Sequence, residues 1–285
     1  MRSNDLDIYT MNTIFQIEKL GCAYHPGRPV LNIPRLHIPQ GQLVFVVGRS
    51  GVGKSTFIET LGLMNRTIEP SEATVVHFNH GSDQGVDLKN HWKLKNEELS
   101  AFRRKHFSFI FQNTNLMPNF SSGENMMVSL LLKGHDHASA REEVLKMMDR
   151  LELPQRVFDA PVSAISGGQR QRLAFVRAVT ADFSVLFGDE PTGNLDPVTA
   201  HNLMNTLRSI LHEHKRTGIV VSHDLSMALS FADMIVPLRR VVAPDGADVG
   251  EAHDDTALFR NEDRWTNAGG KLLDNPVNDL EQLLL

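Results

Sequence analysis

The stretch Gly48-Arg-Ser-Gly-Val-Gly53-Lys54-Ser55-Thr56, directly after the apolar run Leu43-Val44-Phe45-Val46-Val47, narrows the folds open to this chain more than any other feature. Five consecutive apolar residues bounded by a glycine loop read as a strand buried on both faces, as in a parallel sheet. A strand that turns through such a loop into a helix aims successive backbone N–H groups at one small volume, and the helix dipole adds positive potential there. Gly48, Gly51 and Gly53 let the backbone close around an anion without Cβ clashes. The pattern is that of a polyphosphate cradle. Lys54 is expected to reach the β- and γ-phosphates and the Ser55 hydroxyl to hold Mg²⁺, with Arg49, Ser50, Val52 and Thr56 completing the loop. A plain glycine turn is the competing reading, and the preceding strand argues against it.

The rest of the composition bounds the setting. Of 285 residues, 41% are hydrophobic and 22% charged, which is ordinary for a soluble globular chain. A net charge of −5 gives no general reason to expect nucleic acid as a partner. Cys22 is the one cysteine, which excludes an internal disulfide and suits a reducing compartment. No apolar stretch approaches the roughly 18 residues that span a bilayer. The N-terminus lacks the apolar core of a secretory signal. The expected location is cytosolic, with any membrane-spanning helices supplied by other subunits.

Along the chain, Ile14–Leu20 alternates as a half-exposed strand, and Val30–Ile38 reads as a second, weaker strand broken by Pro34. Lys54–Met64 is the first expected helix. Ala73–Phe78 and Phe107–Phe111 are short strands around a polar stretch near 79–95. Ser139-Ala-Arg-Glu142 has the form of a capping box, and Val144, Leu145, Met148 and Leu151 share one face of the helix it would start. Phe183–Phe187 and Gly218–Ser222 are further strands, separated by an amphipathic helix carrying Leu203, Met204, Leu207, Ile210 and Leu211. Alternation of this kind predicts an α/β domain with a mainly parallel sheet. Beyond Arg240 periodicity fades, and residues 241–285 read as an extension of unknown role.

Val185-Leu-Phe-Gly-Asp189-Glu190 offers two carboxylates at one strand end. Asp189 is placed to stay ionised beside Mg²⁺, and Glu190 to polarise an attacking water. Ser166-Gly167-Gly168-Gln169 then opens a second helix as an anion-binding terminus. One site has no use for two cradles so far apart in sequence. Two copies facing head to tail do, since each can close over nucleotide held by the other. At this point the chain resembles the ATP-binding-cassette (ABC) ATPases, whose signature is Ser-Gly-Gly-Gln.

The resemblance covers about Thr13 to Leu238. It implies a P-loop NTPase fold, with a RecA-like parallel-sheet core, an antiparallel β subdomain and an inserted α-helical subdomain at about 113–176, all within an ATPase domain at 13–240. It implies that Gln112 senses Mg²⁺ and the attacking water, that Asp196 of Gly193-Asn194-Leu-Asp196 runs between the two sites of a dimer, that His223 contacts the γ-phosphate and that Tyr24 stacks on adenine. Catalysis would then rest on Glu190, His223, Gln112 and Lys54, and the metal on Ser55, Gln112 and Asp189. The implied cofactors are ATP and Mg²⁺. The implied partners are a second nucleotide-binding domain and transmembrane permease subunits, on the cytoplasmic face of the inner (plasma) membrane.

Glu190–Asp196, Phe111–Phe120 and Glu124-Asn125 look most like the branch of lipoprotein-release, macrolide-export and cell-division ATPases. Gly188, Ile165, Ser122 and Ser71-Glu72 depart from its usual residues, and Ser122 lies near where a membrane partner is expected to dock. A non-transport ABC ATPase and a non-hydrolysing ATP clamp remain the rival readings. The close pairs His135/His137 and His212/His214 have no third strong ligand nearby and read as solvated surface. Arg170, Arg172 and Arg177 are expected to serve the helical region or a facing subunit.

Overall fold

The computed structural model describes residues 13–68, 71, 73–80, 85–193, 195–243 and 246–284; Glu72, Asn194 and residues 81–84 of the polar stretch lie outside these. The chain divides into two units, one built from residues up to Ser100 and from Thr217 onward, the other from Ala101 to Arg216.

The first unit opens on two long antiparallel strands, β1 (Thr13–His25) and β2 (Arg28–Pro39). Pro34 does not break β2. Its ladder with β1 passes from Leu20↔Ile33 to Glu18↔Arg35 with no pair at Pro34, opposite Lys19, whose φ is +50°. The imide nitrogen therefore sits where no regular bond is required. β3 (Leu43–Val47) is buried at all five positions. Helix α1 (Lys54–Leu61) follows the glycine loop and stops short of Met64, because Gly62 caps it and Leu63 turns to φ +58°. Then come β4 (Val75–Phe78), the two-residue β5 (Val86–Asp87), the short α2 (Leu88–His91) and α3 (Asn96–His106), in which the boundary between the units falls.

In the second unit β6 (Phe107–Ile110) leads to α4 (Ser122–Leu132), α5 (His137–Arg150), α6 (Gly167–Val179), β7 (Val185–Asp189) and α7 (Pro197–Glu213). β6 and β7 pair in parallel, and Phe107 and Phe109 pack on Phe187 with centroids 5.3 and 5.4 Å apart. α5 does not start at the Ser139 capping box. Asp136 caps it one turn earlier, accepting from the Ala138 and Ser139 N–H groups at 3.0 Å, so Ser139 lies inside the helix. The capping box actually formed in this region is Ser121 with Glu124, which starts α4. Ser122 points inward, fully buried, its hydroxyl donating to the Ala160 carbonyl at 2.9 Å.

The chain returns to the first unit as β8 (Thr217–Ser222), α8 (Leu225–Phe231) and β9 (Met234–Pro237). β3 lies between β8 and β9, parallel to both, which is why its apolar run is unbroken rather than alternating. The tail carries regular elements. β10 (Arg239–Val242), β11 (Asp248–His253), β12 (Leu258–Asn261), β13 (Arg264–Asn267) and helix α9 (Pro276–Leu283) are all built into this unit. β11 joins a six-stranded sheet in the order β10-β11-β2-β1-β4-β5, antiparallel except where β11 meets β2. β12 pairs with β9 and β13. Strands of four to six residues with Gly and Asp among them give too few positions for a period to show. Asp254 fastens the tail by accepting from both the backbone N–H and Nδ1 of His37, at 2.7 Å each, with Arg35 Nε at 3.3 Å. Burial pushes this carboxyl up, but the His37 bonds and the Arg35 charge outweigh it and hold Asp254 below the usual aspartate range.

Candidate nucleotide site

In the first unit the glycine loop runs from the end of the buried strand β3 to the start of α1. Gly53 caps α1 with φ +102°, a conformation only glycine adopts without strain. A Cβ at Gly48 would lie 2.5 Å from the Leu238 carbonyl oxygen, so this glycine is fixed by space. Lys54 is 8% exposed, and its ammonium donates to the carbonyls of Gly48 at 2.9 Å and Arg49 at 3.0 Å. That holds the amine across the concave side of the loop. Ser55 is exposed at the helix start beside it. The Tyr24 hydroxyl is 3.0 Å from Thr56 Oγ1, while the residue is 56% exposed. An open aromatic face fixed to the first turn of α1 suits stacking on a flat base. His223 is exposed on the loop between β8 and α8, where the Asp224 carboxylate caps α8 through the Met227 N–H.

The back of this loop has a support that sequence reasoning missed. A Cβ placed on Gly250 of β11 would overlap the Val52 carbonyl oxygen, so the tail strand runs directly against the phosphate loop. The signal was a lone glycine inside a short strand, which marks close backbone approach. We expect Gly250→Ala to push Val52 outward and weaken ATP binding roughly 5- to 30-fold, the scale of a core overpacking of about 1–2 kcal/mol. Calorimetric titration with ATP, alongside a thermal melt, checks this; unchanged affinity would show the contact to be slack.

In the second unit β7 delivers both acids. Asp189 closes the strand, and Glu190 follows with φ +44°, a left-handed backbone uncommon for a non-glycine residue. The Gln112 Nε2 donates to Glu190 Oε2 at 3.4 Å, so these two predicted residues meet. Ser166 caps α6 reciprocally with Gln169: its hydroxyl accepts from the Gln169 N–H at 3.2 Å, and Gln169 Oε1 accepts from the Ser166 N–H at 2.9 Å. Ser166 and Gly167 stay exposed, leaving the helix terminus open to a ligand from outside the chain. Asp196 caps α7 through the Thr199 N–H at 3.0 Å, and hydrogen bonds from Thr199 hold its carboxyl below the usual range.

Two linking residues were not singled out as such. Gln171, 1% exposed, donates to the Pro191 carbonyl at 2.6 Å and so ties α6 to the residue after Glu190. A single amide on the otherwise apolar face of Ala174, Phe175 and Ala178 was the available clue. Arg177, its pKa lowered by burial, donates to the carbonyls of Thr114 and Asn115 just past Gln112. Arg170 and Arg172 likewise bond backbone carbonyls of this unit. His135, His137, His212 and His214 are exposed, and among the described residues no group of three or more His, Cys, Asp or Glu is placed to hold a metal ion.

A glycine loop on a buried parallel strand, a strand-end acid pair and a capped Ser-Gly-Gly-Gln helix together define a nucleotide-hydrolysing cassette. The sequence matches the ABC transporter family over residues 31–193. It is 34% identical over 221 residues to the lipoprotein-releasing system ATP-binding protein LolD of Colwellia psychrerythraea, covering 76% of this chain and 81% of that protein. It is 35% identical to the macrolide export ATP-binding/permease protein MacB of Burkholderia thailandensis over 78% of this chain, which spans 31% of that longer protein. Among solved structures, the dimeric post-hydrolysis state of the ATP-binding cassette MJ0796 bound to ADP and Pi superposes with a TM-score of 0.68 at 27% identity, covering 78% of this chain and 93% of that one. The chain belongs to the ABC transporter family and is an ATP-binding, ATP-hydrolysing subunit of that class. Among the described residues no helix is long and apolar enough to cross a membrane.

Proposed function

We propose that this protein is the motor of a membrane transporter of the lipoprotein-release or export type, working as a homodimer on the cytoplasmic face of the plasma membrane. The observation that carries the hydrolytic part is Glu190, held at a strand end with its carboxylate 3.4 Å from the Gln112 amide. That pairing suits one group that polarises water and another that orients it. Residues 48–56 would bind the triphosphate, with Lys54 neutralising its outer phosphates and Tyr24 stacking on the adenine. Ser166–Gln169 of the facing copy would close over it, with Asp196 lining the passage between the two sites and His223 countering charge on the transferred phosphoryl.

A hard cation takes oxygen ligands. The Ser55 hydroxyl, the Gln112 amide oxygen and the Asp189 carboxylate are donors of that kind, and would hold Mg²⁺ where it offsets phosphate charge. Closing two anion-binding helix termini on one polyphosphate, then cutting it, makes a two-state element able to move a membrane partner. The cargo is chosen by that partner and not by this chain.

The test is phosphate release by the purified protein with Mg²⁺ and ATP, alone and with the membrane subunits that co-purify from a detergent extract. Turnover stimulated by those subunits is expected. Nucleotide binding without any phosphate release in either preparation would reduce the protein to a clamp.

A further inference from the structure

Helix α9, almost at the end of the described chain, supplies none of the residues of the proposed nucleotide site, yet it stands beside the glycine loop of its own unit. Asn275 caps it through the Asn278 N–H, Pro276 opens it, and Leu280 is fully buried while α9 packs on α8, the helix that follows His223. Its last turn reaches a cavity of about 440 Å³ whose wall is made by Gly48 and Arg49 of the glycine loop, His223, Leu225, Glu281 of α9 and Leu284 just past its end. Upstream the tail is firmly held: Leu273 N donates to the Trp265 carbonyl at 2.9 Å, and Leu272 bridges to Thr266. Only Asp274 and Asn275 separate that anchor from the helix.

The chemistry of this placement is unfavourable to the ligand. The loop gathers N–H dipoles and an ammonium for an anion, and α9 brings a carboxylate and an isobutyl group to the same opening. A unit negative charge on the wall of the cavity that phosphates would enter opposes them, and Leu284 adds an apolar side chain to the wall that Arg49 also lines. We propose that the end of α9 is a built-in brake on nucleotide capture, with the charge of Glu281 setting ATP affinity. This rests on reading residues 48–56 as the phosphate cradle.

The experiment compares the full-length protein with Glu281→Gln, Glu281→Lys and a chain ending at Asp274, measuring Mg²⁺–ATP and adenosine binding by calorimetry at low and high salt. Glu281 is exposed, so its point variants are expected to fold as the parent does, whatever becomes of the truncation. Affinity for ATP should rise about 3-fold in Glu281→Gln and about 10-fold in Glu281→Lys, with the gain shrinking in high salt and adenosine binding unchanged, because only the phosphates feel the charge. The truncated chain, if folded, should bind ATP at least as tightly as Glu281→Gln. Parental protein and both point variants binding ATP equally would overturn the brake while leaving the cradle intact. Equal gains for ATP and adenosine would overturn Glu281's electrostatic role. Failure of the parent and every variant to bind ATP would remove both the brake and the cradle reading.

Discussion

Glu190→Gln is expected to keep ATP binding and slow phosphate release by roughly 10²- to 10⁴-fold, the range associated with loss of a general base. The substitution is nearly isosteric. The left-handed backbone at φ +44°, which costs about 1–3 kcal/mol for a non-glycine residue, is kept in the variant, as is reach of the side chain toward Gln112. What disappears is the carboxylate's basicity. If hydrolysis is what lets two copies part, the variant should also accumulate as an ATP-bound dimer, visible by size-exclusion chromatography with nucleotide in the buffer. Turnover at the parental rate would take Glu190 out of the reaction.

Lys54→Ala should act a step earlier, on binding. In the structure the ammonium already has two partners, the carbonyls of Gly48 and Arg49, and is almost wholly shielded from water. It is therefore held in place before any phosphate arrives, and little ordering cost remains to be met on binding. A charge-assisted hydrogen bond to phosphate of about 1.5–3 kcal/mol corresponds to roughly a 10- to 100-fold loss in ATP affinity. Lys54→Arg should not restore it, because a planar guanidinium cannot reproduce the compact ammonium between two carbonyls. Calorimetric titration of both variants decides the matter: parental affinity in Lys54→Ala would mean the loop's N–H groups hold the phosphates unaided.

How legible the protein was in its sequence differs by region for physical reasons. The run Leu43–Val47 announced a doubly buried parallel strand because every position is covered by a neighbour, and Gly53 announced itself because one backbone angle admits little else. The helix at Leu203–Leu211 showed its period over enough turns to be read. Pro34 misled because the rule against proline in a strand concerns the missing N–H, and here the ladder asks nothing of that nitrogen. Ser139 misled because a capping pattern three residues apart is also ordinary helix surface, and Asp136 was free to cap first. The tail was illegible because β10 to β13 take their stability from sheets already present, so their own sequences carry little pattern. Gly250 and Glu281 matter to the site only through what lies opposite them, which no local pattern encodes.

The pairing of β11 with β2 ties residues 219 positions apart, as between Asn32 and Glu251. A chain emerging from the ribosome will have completed the phosphate loop, the acid pair and the signature helix long before this strand exists. Until residue 250 is made, the loop lacks the surface it rests on. Closures across such long separations are entropically costly and form late. The backing of the glycine loop is thus a late acquisition of folding, made only after β11 has been synthesised and has paired with β2.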